Sequence, residues 1–172
     1  MDLDIRVSTT IQSHENPELV VQAVKKIFPD WEPNGETGRR VFPHDGTAEV
    51  LYGGTSSMDV FLEAVAKQNI MDTALDAMSL DMENGRYADF SISRQAALVG
   101  KVSFPLGERV TGGEIDISIS GEGVDLWLEK VTWHRGRSLI PRNVGDDLSM
   151  SKDGTPNEWF DKKGRPTIGD EP

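Results

Sequence analysis

Leu3, Ile5, Val7 and Ile11 alternate with Asp4, Arg6, Ser8 and Thr10 at the start of the chain. A period of two predicts a strand with one buried face. Ser13–Asn16 interrupts it. Asn16, Pro17 and Glu18 then supply a side-chain cap, a proline for the first turn and an acid at the positive end of a helix dipole. Leu19, Val20, Ala23, Val24, Ile27 and Phe28 recur at helical spacing until Pro29. Arg39–Phe42 and Ala48–Tyr52 are two short strand candidates around a His44-Asp45-Gly46 turn. After Gly53-Gly54-Thr55-Ser56 a helix is expected with Met58, Phe61, Leu62 and Val65 on one face, and Ser56 and Asp59 in capping-box spacing. A related helix follows through Ile70, Ala74, Leu75 and Met78, ending before Asn84-Gly85. Strands are expected at Tyr87–Ile92, Lys101–Phe104 and Glu114–Ser120, with a short apolar segment at Gln95–Val99. A last helix presents Val124, Trp127, Leu128 and Val131. This order predicts an α+β fold, with an antiparallel or mixed sheet covered on one side by helices.

Periodicity stops near Trp133–Gly136. Residues 1–133 therefore read as one domain and residues 134–172 as an irregular tail rich in proline and glycine. Leu139, Ile140, Trp159 and Phe160 in that tail would prefer cover, so it either docks partly on the domain or offers a motif to a partner. Charge divides at the same place. The first 133 residues carry 11 Lys/Arg and 22 Asp/Glu, and the tail carries 7 of each. A net charge of −11 argues against a generic basic nucleic-acid binder and against a protein held on anionic lipid. The absence of cysteine removes disulfides, thiolate nucleophiles and cysteine-ligated metals. The acidic start and the lack of a long apolar run predict no signal peptide and no membrane span, hence a cytoplasmic protein.

Few residues suggest chemistry. Gly53, Gly54, Thr55 and Ser56 before a helix are candidate anion-binding residues, because free N–H groups and the helix dipole converge at such a turn. A plain glycine turn with an N-cap explains the same residues, and the lysine of a phosphate-binding loop is missing. His14, His44 and His134 lack the spacing that puts two ligands on one helix face, so no metal or cofactor is expected. No nucleophile elbow accompanies the serines, and the Asp146-Asp147 pair lies in the tail. Met58, Met71, Met78 and Met82 read as core filling on the middle helices. One stretch stands apart. From Phe90 to Gly107 there is no acid, while Arg94, Gln95 and Lys101 offer two cations and an amide. Such a patch can hold a phosphate backbone even on an acidic protein; the alternative is an apolar segment with solvated cations at its edges.

That stretch, ISRQAALVGKVSF followed by PLG, resembles the signature of an archaeal family of small proteins described as predicted RNA-binding and sometimes as exosome-associated. The opening DIRVSTTI, the helix ending KKIFPD, the run VFLEAVAKQNIMDTALDAM and the close EIDISISGEGVDLWLEKVT follow the same order, over about residues 3–133. The resemblance implies a fold like that of the ribosomal protein that binds five-S RNA. It also implies a non-catalytic RNA-binding role, with Arg94, Gln95 and Lys101 as the contacts. The other reading is a protein-interaction module, docking its acidic domain or the Trp159-Phe160 tail on a basic ribosomal or RNA-processing protein.

Overall fold

The computed structural model describes residues 2–34, 48–105 and 112–139. The strand candidate at 39–42, the turn at 44–46 and Trp159-Phe160 lie outside them. The chain forms β1 (Asp4–Ile11), α1 (Pro17–Ile27), β2 (Glu49–Thr55), α2 (Asp59–Lys67), α3 (Met71–Ser79), β3 (Tyr87–Ser93), α4 (Arg94–Leu98), β4 (Glu114–Ser120) and α5 (Val124–Val131). The strands make one antiparallel sheet in the order β2-β1-β4-β3. The α+β class with helices on one side of an antiparallel sheet is the one its periodicity predicts.

Alternation decides which face of the sheet is covered. Ile5, Val7, Thr9 and Ile11 of β1 are buried together with Ala88, Phe90 and Ile92 of β3 and Ile115, Ile117 and Ile119 of β4. Against them pack the apolar stripes of the helices, including Val24 and Ile27 of α1, Phe61 and Val65 of α2, and Leu75 and Met78 of α3. Phe28 stacks on Phe61 at 6.1 Å, and Phe61 meets the edge of Phe104 at 6.3 Å. Burying rings of this size contributes on the order of 2 kcal/mol each, so the aromatic group is the centre of the core. The opposite face carries Arg6, Ser8, Asp89, Ser91, Asp116 and Ser118 and faces solvent.

Three local expectations need correction. Gly53, Gly54 and Thr55 are not a turn before a helix. They are strand residues, paired with Val7, Arg6 and Ile5. Gly53 is required there because a Cβ would stand 2.2 Å from the Glu32 carbonyl oxygen. Its bare backbone lets Trp31 cross the strand and donate its indole N–H to the Val7 carbonyl at 3.0 Å. Ser56 does not cap α2, which begins three residues later; Ser57 Oγ accepts from the Asp59 N–H instead. Lys101–Phe104 is not a strand of the sheet. The Gln68 side chain clamps Val102 by accepting from its N–H at 2.7 Å and donating to its carbonyl at 2.8 Å.

The packed chain also continues beyond Trp133. Arg135–Ser138 form a 3-10 turn, and Arg137 is buried while donating to Thr132 Oγ1, the Glu129 carbonyl and Asp72. His134 Nε2 lies 3.0 Å from the same Asp72 oxygen. Burial works against a charge on Asp72, but the bonds from Arg137 and His134 outweigh it and hold the carboxyl below its ordinary range. Residues 134–139 are therefore pinned to α3.

Candidate nucleic-acid interface

Arg94 opens α4, directly after β3, with Ser93 Oγ accepting from the Ala96 N–H as the cap. The turn at this junction sends the Arg94 side chain inward. It is only 4% exposed. Nη1 donates to Thr9 Oγ1 and to the Thr10 carbonyl, both at 2.8 Å, and Nε donates to the Gly112 carbonyl at 3.1 Å. Nη2 pairs with Glu15. Gly113 makes room for the guanidinium, since a Cβ there would come within 2.5 Å of Nη2. This corrects the role expected of Arg94. Its donors are already taken by the protein, and a phosphate would have to displace them. Arg94 ties β1, the start of α1 and the approach to β4 to one another.

Gln95 and Lys101, in contrast, are exposed. Leu98 and Val99, between them in the chain, are also exposed, the latter 71%. α1 packs along α4, and between them runs a groove of about 260 Å³ lined by Asn16, Leu19, Ala23, Gln95 and Leu98, with Arg94 at its base. α1 brings a second stretch without acids, Leu19–Pro29, which carries the exposed Lys25 and Lys26. Helical spacing from Leu19 through Ala23 places Lys26 on the stripe that faces α4. Among the described residues, Lys25, Lys26 and Lys101 meet no carboxylate. The acid that does reach the groove, Glu15, is neutralised by Arg94. Arg94 thus shapes the charge of this surface from beneath it.

The Thr55 and Ser56 side-chain donors are also taken. Asp30 accepts from the Thr55 and Ser56 hydroxyls and from the Ser56 N–H at 2.7 Å. The Ser56 and Thr55 hydroxyl bonds are the largest reasons that the Asp30 carboxyl is lowered from 3.8 to about 2. An intrinsic carboxylate occupies the place that an external anion would take at Thr55 and Ser56.

No family model matches the chain. A UPF0200/UPF0201 protein from Archaeoglobus fulgidus is 31% identical over 162 residues, covering 94% of this chain and 42% of the relative. The chain thus spans less than half the length of that relative. A solved UPF0201 protein described as uncharacterised is 25% identical, with a TM-score of 0.58 over 73% of this chain and 90% of its own. The chain is thus similar to archaeal UPF0200/UPF0201 and UPF0201 proteins. The same fold recurs in the UPF0201 protein from Methanococcus jannaschii, at 22% identity and a TM-score of 0.63, covering 76% of this chain and 99% of that one.

The α1–α4 surface was only half visible in the sequence. The segment from Phe90 to Gly107 is recognisable as acid-free, and so is Leu19–Pro29 once charges are scanned in the same way. Their juxtaposition depends on the fold, and so does the pairing of Arg94 with Glu15, 79 positions earlier. Of the residues named as candidates, Gln95 lines this groove, Arg94 lies beneath it, Lys101 is exposed three residues after α4, and Gly53–Ser56 lie in and just after β2. No helix among the described residues is long and apolar enough to cross a membrane.

Proposed function

We propose that this chain is a non-catalytic RNA-binding accessory protein that holds RNA on the α1–α4 surface. The observation that supports this reading is the packing of two acid-free stretches against each other in a chain of net charge −11. Lys26 and Lys101, with Lys25 on the outer face of α1, are suited to phosphate oxygens, which position an RNA without reading it. The Gln95 amide can donate and accept at an unpaired base edge. Leu98 and Val99 offer apolar cover to a sugar or an unstacked base. Three cations make few phosphate contacts, so the acidic remainder of the domain repels non-specific RNA and favours a folded or looped target.

The test is titration of the full chain with a labelled stem-loop RNA, comparing wild type with the Lys25→Gln, Lys26→Gln, Lys101→Gln triple variant. At low salt the wild type binds and the variant binds at least tenfold more weakly. Equal binding by the variant, or no binding by the wild type, overturns the proposal.

A further inference from the structure

The free edge of β3 lies on a different part of the molecule. In an antiparallel strand the N–H and C=O of one residue point to the same side, alternating along the chain. Tyr87 and Ser93 show which residues point away from β4. Tyr87 exchanges main-chain bonds with Glu83, and the Ser93 N–H donates to the Ser103 carbonyl at 2.8 Å. Asp89 and Ser91 share their orientation. Among the described residues, neither has a main-chain partner on that side. Pro105 lines the same hollow as Ser91, and proline has no N–H to donate.

A hollow of about 650 Å³ opens along this gap. Ala77, Leu80, Phe90 and Phe104 supply apolar lining, and Asp81, Asp89, Glu114 and Asp116 supply negative charge. No Lys or Arg is among its described lining residues. Asp89 also selects the occupant. A second copy pairing edge to edge would bring β3 acids against β3 acids, which like-charge repulsion disfavours. A strand bearing Lys or Arg meets complementary charge instead.

We infer that the β3 edge accepts an extended, basic segment of a partner protein as an added strand. Main-chain bonds to Asp89 and Ser91 hold its backbone, and alternate side chains reach Asp89 and Asp116 on the open side or the Leu80–Phe104 lining on the other. This site is separate from the α1–α4 surface, so its occupant and an RNA can be bound together.

The experiment titrates the full chain with a labelled ten-residue peptide alternating Val and Lys. Controls are the same peptide with alternate backbone nitrogens methylated, and one alternating Val and Glu. The Val-Lys peptide is expected to bind, and to slow hydrogen exchange at the Asp89 and Ser91 amides. N-methylation, the Glu peptide and Ser91→Pro should each weaken binding at least tenfold. Asp81→Lys with Asp89→Lys, which leaves the backbone intact, should do the same and serves if Ser91→Pro does not fold. Undiminished binding of the methylated peptide would reduce the effect to charge attraction and overturn strand addition. So would absence of protection at Asp89 and Ser91. Stem-loop RNA should not compete with the peptide; competition would contradict the separation of the two sites.

Discussion

Arg94 illustrates how a residue prominent in a binding signature can serve the fold first. Its guanidinium meets Thr9, Thr10, Gly112 and Glu15 in a setting where water is excluded. Removing one member of a buried ion pair leaves the other unpaired, which costs about 3–5 kcal/mol. Arg94→Ala should lower the unfolding free energy in urea by an amount of that order. Arg94→Lys should recover little of it, because an ammonium cannot reach four acceptors with the geometry of a planar fork. A variant as stable as wild type would show that the network contributes nothing. Asp30 gives a second residue-level expectation with a defined sign. Its folded pKa of about 2 lies below the ordinary 3.8. The stabilisation is therefore complete above about pH 4 and is lost as pH falls through 2. Asp30→Asn should be less stable than wild type at pH 7, and urea unfolding should show the two curves converging between pH 4 and pH 2.

Among the elements, those with a strong local period were legible in the sequence. β1, α1, β3, β4 and α5 stand where alternation or helical spacing puts them, because each buries one face and that need is written in adjacent residues. What the sequence hid was non-local. Gly53 reads as a turn residue until Trp31 and Glu32 are laid across β2. The Lys101–Phe104 segment has the composition of a strand, yet the Gln68 clamp keeps it from joining the sheet. Loss of helical period at Trp133 is real, but Arg137 and Asp72 carry the packed chain six residues further. The site followed the same rule: its acid-free α4 half was visible, and the α1 half needed tertiary contact. The C-terminal turn gives the element-level prediction. Asp72→Ala should release residues 134–139 from α3, so that trypsin cleaves after Arg135 and Arg137 several-fold faster than in wild type. An unchanged cleavage rate would mean that Asp72 does not hold the turn.

At the scale of the molecule, charge among the described residues is unevenly distributed. Lys26 lies on the α4-facing stripe of α1, Lys25 on its outer face and Lys101 just after α4, while the open sheet face and the β3 edge carry Asp89, Glu114 and Asp116. Separate basic and acidic surfaces suit a small adaptor that meets RNA on one side and a basic protein on the other. Net charge alone argues against nucleic acid; its distribution leaves one surface on which RNA can be held. Backbone-amide NMR of the labelled full chain during titration with a stem-loop RNA tests this localisation most directly. The account predicts shifts confined to the exposed turns of α1 and to residues 95–101, with the β3 edge and the open sheet face unchanged. Shifts centred on Asp89, Ser91 and Asp116, or no shifts at low salt, would contradict it.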